Sequence, residues 1–229
     1  PQSLEYERQF MTNHSIDDNK AYWDQFYKDF GRRTPSQFCV SVITDLEAGA
    51  SIVELGSGNG RDSFFFAEKG FRTVAMDASE TAIQKCEEYA LARGITHPYF
   101  LHGDITKEDD VANAVANGRS ESASGCVTLY SRFVMHSLDD NQQTAFLAAL
   151  GACTGTGDVV YFEFRSQEDA ALEKHYGGHY RRYIDTNHFT SELASVAGFE
   201  TTYSLTGQGM ARLKEEDPVV SRVIAAKSA

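Results

Sequence analysis

The chain has 229 residues, 41% of them apolar and 24% charged, and 33 acidic residues against 21 Lys and Arg give a formal net charge of −12. This length suits one large domain with or without a small appendage, and the balanced composition excludes intrinsic disorder and a disulfide scaffold. So acidic a surface repels phosphate backbones and anionic lipids, which argues against nucleic-acid and membrane-surface roles.

The cysteines and the hydropathy pattern predict the compartment. The four cysteines are far apart and form no CxxC pair, as is typical of thiols in a reducing cytosol. No apolar run approaches the ~20 residues that span a bilayer, and residues 1–10 lack the apolar core of a signal peptide. We expect a cytoplasmic protein without membrane insertion.

The first 47 residues differ from the rest in their pattern of apolar residues. Aromatic residues spaced by three and four across residues 17–30 predict an amphipathic helix. Gly31 and Pro35 break it, and Ser36 is placed to cap a second helix that extends to Leu46. We predict an N-terminal helical cap over residues 1–47 and a second domain over 48–229.

Strands alternate with helices from residue 51 onward. The predicted strands are 51–55, 71–76, 99–102, 126–130 and 158–164, and the predicted helices are 61–69, 80–92, 107–117 and 140–150, with a serine-rich loop at 118–125. A helix at 190–197 precedes strands 199–205 and 219–226. This order predicts an α/β fold with a Rossmann-like, seven-stranded, mostly parallel sheet, helices on both faces and an antiparallel C-terminal hairpin.

A glycine-rich loop follows the first strand. Gly56, Gly58 and Gly60 alternate in the segment VELGSGNG, which lets the backbone turn tightly and approach a ligand. The next helix then points its N-terminal N–H groups at that ligand. Asp77 lies seventeen residues after Gly60 at the end of the second strand. A carboxylate at this place can accept hydrogen bonds from a ribose diol.

Two details separate this loop from a dinucleotide fingerprint. Position 61, where that fingerprint has Gly or Ala, is Arg61. Glu54 lies at the end of the strand, where it would repel a pyrophosphate and attract a cation. These residues disfavour a nicotinamide-dependent oxidoreductase and favour an adenosine with a cationic methionine tail.

Here the sequence resembles the class I S-adenosylmethionine-dependent methyltransferases over about residues 50–165. The resemblance implies that the glycine loop carries the methionine moiety, that Asp77 holds the ribose, and that Asp104 faces the adenine amine. The implied cofactor is S-adenosyl-L-methionine, and the expected cofactor-binding residues are Glu54, Gly56, Gly58, Gly60, Asp77, Ala78, Asp104, Ile105, Tyr130 and Trp23.

Arginines end the fourth and fifth strands, at the edge of the sheet where ligands of open α/β folds bind. Arg132 and Arg165 stand there, and Arg181 and Arg182 follow in the segment HYGGHYRRY. Guanidinium groups bind carboxylate or phosphate in a bidentate manner, so the set indicates an anionic acceptor. The predicted substrate-binding residues are Arg132, Arg165, Tyr180, Arg181, Arg182 and Tyr22.

Further segments, among them TPSQF, GRDS, SRF and HYRRY, resemble methyltransferases of bacterial surface-polysaccharide synthesis, including a domain that methylates a terminal phosphate of O-antigen. This resemblance extends over about residues 20–226 and implies polysaccharide biosynthesis, with a small-molecule or glycan-phosphate acceptor. Nothing in the sequence predicts the oligomeric state.

The sequence leaves three interpretations of the mechanism open. An ionised acceptor needs no general base, so Arg132 would only orient it, whereas a hydroxyl or amine would need a base such as His136 or His179. A module that binds S-adenosylmethionine without turnover is the third reading. His175 and His179 lack further ligands nearby, so no metal is expected.

The aromatic N-terminal helix is expected to close over the site as a lid that excludes water. Packing on the sheet without any such role is an equal alternative.

Overall fold

The computed structural model describes residues 22–28, 31, 34–174 and 180–228 and contains a seven-stranded sheet. The strands are β1 (Ser51–Leu55), β2 (Arg72–Asp77), β3 (Tyr99–His102), β4 (Thr128–Arg132), β5 (Val159–Arg165), β6 (Phe199–Gly207) and β7 (Val220–Lys227). Their order is β3-β2-β1-β4-β5-β7-β6. β1 to β5 pair in parallel, and β7 is antiparallel to both β5 and β6. The predicted sheet is confirmed.

The helices of the described residues follow the strands in the expected alternation. They are α1 (Gln37–Val42), α2 (Arg61–Glu68), α3 (Glu80–Ala92), α4 (Glu108–Ser120), α5 (Asp140–Cys153) and α6 (Thr186–Ala197). Residues 22–26 are also helical, and two short 3-10 turns span Met135–Ser137 and Gln167–Ala171. Serine and aspartate side chains cap several of these helices, which fixes where they begin.

Several boundaries differ from the prediction, among them those of α1, α4 and α6. α1 ends at Val42 and not at Leu46. α4 continues to Ser120 through part of the predicted loop, because Gly118 is buried against β1 and its carbonyl accepts a hydrogen bond from Ser51 Oγ at 2.6 Å. α6 begins at Thr186, where the Asp185 side chain accepts from the His188 amide.

The apolar core lies on both faces of the sheet, so the central strand β1 is buried at every position. One face packs Val53 and Leu55 among residues of α4, α5 and α6. The opposite face packs Ile52 and Tyr130 against α1 and α2. Because alternate residues of a strand point to opposite faces, Glu54 shares the Ile52 face.

The strand order creates a crevice at the carboxyl edge of the sheet. From β1 the chain adds β2 and β3 on one side and then β4 and β5 on the other. The loops that follow β1 and β4 therefore diverge, which opens a binding crevice between them. The glycine loop lies at this switch point.

Candidate active site

A single cavity of about 890 Å³ occupies this crevice. The glycine loop, the ends of β2, β4 and β5, the segment after β3, the N-terminal helical segment and the loop before β7 all contribute to its lining. The cavity therefore brings together seven chain segments, many of them distant in sequence.

Two glycines of the loop are fixed by what lies against them. Gly56 and Gly58 have φ of 84° and 53°, in the left-handed region that favours glycine. A Cβ at Gly56 would collide with Val134, and one at Gly58 would collide with the hydroxyl of Tyr27. The loop is thus closed over by side chains from the segment after β4 and from the N-terminal segment.

The Asp77 carboxylate is oriented by backbone amides at the end of β2. Its Oδ2 accepts from the Gly58 amide at 2.7 Å, and its Oδ1 accepts from the Ser79 amide at 2.8 Å. Burial raises the pKa of Asp77, while these two hydrogen bonds act in the opposite direction. Each oxygen keeps a lone pair that a ligand hydroxyl could use. Ala78 lines the cavity beside it.

Asp104 and Ile105 line the cavity after β3. Asp104 Oδ1 accepts from the amide and hydroxyl of Thr106 at 2.9 and 2.8 Å. The adjacent helix begins at Glu108 with Lys107 as its N-cap, so Asp104 does not serve as a helix cap. Its second carboxylate oxygen has no hydrogen bond among the described residues.

Glu54 is a buried acid at the cavity wall, only 3% exposed. The hydroxyl of Ser63 donates to it in a very short contact. Burial first, and the nearby Asp62 second, raise the pKa of Glu54 well above its ordinary value. A cationic ligand group beside Glu54 would favour its ionised form, as the sequence predicted for a cationic methionine tail.

Tyr130 does not line the cavity, so its predicted contact with the cofactor is not supported. Its ring is fully buried on the α1 face of the sheet and stacks on Phe38 at 5.1 Å. Its hydroxyl donates to Asp62 Oδ2 at 2.8 Å. The strand alternation that places Glu54 on this face buries Tyr130 there as well, because the two residues are register partners.

Arg132 lies at the cavity but shares a carboxylate with another arginine. Glu163 accepts from Arg132 Nε at 2.7 Å and from Arg222 Nε at 2.8 Å. The Arg132 guanidinium carbon lies 4.1 Å from the centre of the Phe133 ring. Its two terminal nitrogens form no hydrogen bond within the described part of the chain.

Arg165 also lines the cavity, but its charge is neutralised. Asp169 accepts from it at 2.7 Å and Glu216 at 2.5 Å, and Arg165 is 6% exposed. Arg132 and Arg165 both line the cavity, as predicted from their places at the ends of the fourth and fifth strands. The inference that both are available to an acceptor does not hold for Arg165, because the loop before β7 supplies its partner.

The remaining predicted substrate residues lie outside the cavity lining. Arg182 pairs with Asp140 and donates to Gln143, on the α5 side of the molecule. Tyr22, Tyr180 and Arg181 are half-buried and do not line the cavity either. The structure does not place these four residues at the cavity, and their role in substrate binding stays a prediction.

The two histidines predicted as bases have different outcomes. His136 is 3% exposed, does not line the cavity, and stacks edge-to-face on Phe133 with ring centres 5.2 Å apart. His179 lies outside the described residues, as does His175. Gly60 is the left-handed N-cap of α2, lies near Cys86 and does not line the cavity, so its predicted contact with the cofactor stays a prediction.

The N-terminal segment lies over the glycine loop. Trp23, Phe26 and Tyr27 line the cavity, and Asp24 accepts from the Ser79 hydroxyl at 2.5 Å. Lys85 of α3 contacts the carbonyl of Lys28. Residues 22–28 thus lie at the cavity, where the sequence predicts a lid, and the lid function itself stays a prediction. Residues 1–21 are outside the described part of the chain.

Sequence reasoning missed several residues of the cavity. Phe133 directly follows β4 with φ of 59°, a conformation that is costly for an aromatic residue and turns the chain toward the cavity. Glu216 and the segment 211–213, which line the cavity, and Glu163, which binds Arg132, were also given no role. No sequence pattern marks them, since they meet the site only through the pairing of β5 with β7.

Some classes of site do not occur in the residues that the structure covers. Within them, no three His, Cys, Asp or Glu side chains are arranged to hold a metal ion. No helix formed by these residues is both long and apolar enough to cross a membrane.

Known proteins match the chain in sequence and in fold. A family model described as a methyltransferase domain matches residues 52–157, somewhat less than half of the chain. A 2-heptyl-1-hydroxyquinolin-4(1H)-one methyltransferase from Mycobacteroides abscessus is 31% identical over 72 residues, which are 31% of this chain and 32% of that protein. The match thus spans about a third of the length of this curated relative.

Solved structures share the fold at lower identity. An S-adenosylmethionine-dependent methyltransferase from Anabaena variabilis superposes with a TM-score of 0.66 at 15% identity, covering 94% of this chain and 96% of its own. Magnesium protoporphyrin IX methyltransferase from Synechocystis, with bound S-adenosylhomocysteine, gives a TM-score of 0.60 at 13% identity and coverages of 99% and 94%.

The solved structures confirm the predicted fold, and the match to a methyltransferase domain supports the predicted enzyme class and cofactor. None of the three relatives named is described as acting on a polysaccharide phosphate, so the narrower resemblance to O-antigen phosphate-capping enzymes is not supported. The region that matches the methyltransferase-domain model contains the glycine loop together with Glu54, Asp77 and Asp104 of the cavity.

Proposed function

We propose that the chain transfers the methyl group of S-adenosylmethionine to an oxygen atom of a small anionic acceptor. The observation that carries this proposal is the Arg132 guanidinium, which faces the same cavity as the glycine loop with two terminal nitrogens that no described residue uses. A planar cation with free donors suits a carboxylate, a phosphate or an ionised hydroxyl.

The cofactor is proposed to lie across the switch point of the sheet. Asp77 would accept hydrogen bonds from the ribose hydroxyls, supported by the two amides that orient its carboxylate. Asp104 and Ile105 would contact the adenine, and the glycine loop with Glu54 would hold the methionine moiety. Trp23 and Tyr27, which belong to the cap predicted over residues 1–47, would cover the cofactor.

An ionised acceptor fits the chemistry of the lining. Four of the histidines are described, and none of them lines the cavity. An acceptor that is already ionised near neutral pH needs no general base, so the task is to hold its oxygen in line with the sulfur–methyl bond. Arg132 would orient that oxygen, and the lid would exclude competing water.

The acceptor is proposed to be partly apolar as well. Phe133 and Leu213 line the cavity together with Ala211 and Pro218. The curated relative acts, by its name, on a fused ring that carries a hydroxyl on nitrogen and a seven-carbon chain. Such a combination of an acidic oxygen and an apolar body suits a cavity of about 890 Å³ better than a highly charged glycan does.

The proposal is tested by a methyl-transfer assay with labelled S-adenosylmethionine. Matched pairs are compared: an aryl carboxylic acid and its amide, an N-hydroxy heterocycle and its unhydroxylated parent, and a sugar phosphate and its free sugar. We expect turnover only of the acids. Turnover of the neutral partners, or of none, would contradict an anionic acceptor.

Two substitutions separate the cofactor from the acceptor in the same assay. Asp77→Ala is expected to weaken binding of S-adenosylhomocysteine by at least about tenfold, since a charged hydrogen-bond partner is lost. Arg132→Ala is expected to leave that affinity nearly unchanged and to raise the KM for the acceptor. Asp109→Ala, on the exposed side of α4, is the control. The reverse pattern would show that the two roles are exchanged.

A further inference from the structure

Three charged side chains form a row across neighbouring strands at the cavity. Glu163 of β5 is the register partner of Arg132 on β4 and of Arg222 on β7, so the three side chains lie on the same face of the sheet. Glu163 Oε1 accepts from Arg132 Nε at 2.7 Å, and Oε2 accepts from Arg222 Nε at 2.8 Å. We call these three residues the charged row.

The two arginines of the charged row differ in the donors that they have left. Arg222 donates through its terminal nitrogens to the Ser41 hydroxyl at 3.3 Å and to the Met210 carbonyl at 2.9 Å, and it does not line the cavity. Arg132 lines the cavity, and its terminal nitrogens form no hydrogen bond with any described residue. Arg132 is therefore the member of the row that can donate to a ligand, whereas Glu163 and Arg222 act through it.

The charged row has one positive charge more than it has negative charges, since two guanidinium groups share one carboxylate. The Glu163 side chain is fully buried, and those of Arg132 and Arg222 are each 14% exposed. Burial lowers the pKa of Arg132 and the charge of Glu163 raises it, with a net rise, so Arg132 stays ionised. A charge at this depth without a counter-ion costs free energy, and an anion in the cavity would remove that cost.

Other described charges near the charged row are balanced or exposed. One group holds two cations and two carboxylates in mutual contact, namely Arg165, Lys174, Asp169 and Glu216. Arg61 is paired with Asp62, with Nε 3.7 Å from Oδ1. Arg212 lines the cavity but is exposed, so water screens its charge. Among the described residues at this side of the cavity, the charged row thus supplies the unbalanced buried positive charge.

We propose that the charged row selects acceptors with a single negative charge, such as a carboxylate or an ionised hydroxyl, over neutral molecules and over dianions such as phosphate monoesters. This inference rests on the proposed function and adds the charge of the acceptor. One negative charge neutralises the row, and a second would be buried without a counter-ion. Glu163 and Arg222 are then specificity-determining residues that do not touch the acceptor.

The test is calorimetric titration of the full chain, saturated with S-adenosylhomocysteine, at pH 8. The probes are benzamide, benzoate and phenyl phosphate, which share a phenyl ring and at this pH have no charge, one negative charge and nearly two. We expect the unchanged chain to bind benzoate more tightly than either of the other probes.

Arg222→Met makes the charged row neutral without removing a side chain from the cavity lining. Its affinity for benzoate is expected to fall by roughly tenfold, as for the loss of one unit charge at a distance inside a protein, while its affinity for benzamide stays the same. Arg222→Lys also lacks the planar fork but keeps the charge, so it is expected to retain most of the affinity for benzoate. Comparison of the two variants separates the charge of Arg222 from its hydrogen bonds.

Glu163→Gln gives the charged row a second unbalanced positive charge. Its affinity for phenyl phosphate is expected to rise by roughly tenfold relative to its affinity for benzoate. Arg93→Met, at the exposed end of α3, changes the net charge of the chain as Arg222→Met does and should alter no titration. Unchanged affinity for S-adenosylhomocysteine shows that a variant is folded, and the two Arg222 variants decide the question if Glu163→Gln does not fold.

Two results would overturn the proposal. Equal losses of benzoate affinity in Arg222→Met and Arg222→Lys would assign Arg222 a structural role only. Tighter binding of phenyl phosphate than of benzoate by the unchanged chain would refute selection of a single charge. Binding of benzamide as tightly as benzoate by the unchanged chain, or of neither, would refute the anionic acceptor of the proposed function itself, which is a separate outcome.

Discussion

The buried acid Glu54 lowers the stability of the free protein when it is ionised, and its charge is expected to favour ligand binding. It is 3% exposed and accepts a hydrogen bond from Ser63, but the described residues give it no ion pair. Its pKa is raised well above the ordinary 4.5 by burial, and next by Asp62. Ionisation of Glu54 therefore costs folding free energy in the free protein, and a ligand ammonium would offset that cost.

Glu54→Gln is expected to make the free protein more stable at pH 8. The folded chain holds the Glu54 proton more tightly than the unfolded chain, so stability falls as the pH rises from about 4.5 through the folded-state pKa. The variant lacks this loss, and each kcal/mol gained should raise Tm by about 2–4 °C. Thermal unfolding at pH 8 and pH 4 measures the difference, which should vanish at pH 4.

The same variant is expected to bind S-adenosylhomocysteine more weakly, because its side chain has no charge for the ammonium. Glu68→Gln, at the exposed end of α2, is the control and should change neither property. A Glu54→Gln variant that is less stable at pH 8 would show that the carboxylate is satisfied in the free protein.

At the scale of elements, the site depends on contacts between the N-terminal segment and the glycine loop. The Tyr27 hydroxyl lies where a Cβ at Gly58 would be, and Asp24 bonds to the cap residue of α3. Burial raises the pKa of Tyr27 well above 10, with Asp77 as the second cause, so the hydroxyl stays protonated and can donate. The position of the N-terminal segment and the conformation of the loop are thus linked by direct contacts.

Gly58→Ala is expected to displace the lid without unfolding the domain. The new methyl group would collide with Tyr27, and the left-handed backbone at Gly58 adds strain. Trp23 is the only tryptophan in the chain and lies in this segment, so its fluorescence should shift toward that of an exposed indole. The affinity for S-adenosylhomocysteine should fall as well.

Gly70→Ala provides the matched control for this experiment. Gly70 also has a left-handed backbone, with φ of 89°, but nothing lies within 4 Å of the position of its Cβ. Its substitution by alanine introduces the backbone strain without a steric collision, so the Trp23 emission should stay unchanged. Equal spectral changes in the two variants would mean that strain, and not the lid contact, is responsible.

At the scale of the whole molecule, chemistry and stability are concentrated at opposite edges of the sheet. The cavity lies at the carboxyl ends of the parallel strands, whereas Asp158 precedes β5 at their amino ends. Asp158 is fully buried and accepts from the Arg119 guanidinium and from the amides of Val127 and Gly155. It ties α4, β4 and the α5–β5 turn together.

Asp158→Ala is expected to lower the free energy of unfolding by roughly 2–4 kcal/mol, because it leaves buried donors without an acceptor. The affinity for S-adenosylhomocysteine should be unchanged, since the cavity lies at the other edge. Urea unfolding and calorimetry measure the two quantities. Asp109→Ala is again the control, and a loss of binding in a folded Asp158→Ala protein would contradict this separation.

Most of the fold was predictable because local signals agree with it. The alternation of strands and helices, the Ser36 and Ser79 caps and the glycine loop each have a local cause that is visible in the sequence. The same holds for Asp77 and Asp104, which lie at or just after the carboxyl ends of β2 and β3, on the edge of the sheet where the cavity forms. Boundaries such as the end of α4 were missed, because burial of Gly118 against β1 is a tertiary effect.

The acceptor side of the site was decided only by the tertiary structure. The sequence showed which arginines end strands, but it could not show that Glu216, more than fifty residues later, neutralises Arg165. Nor could it show that Tyr130 faces the α1 side, because that depends on which face of a fully buried strand meets which helix. Local periodicity determines elements and loops, whereas the pairing of charges depends on how distant strands meet.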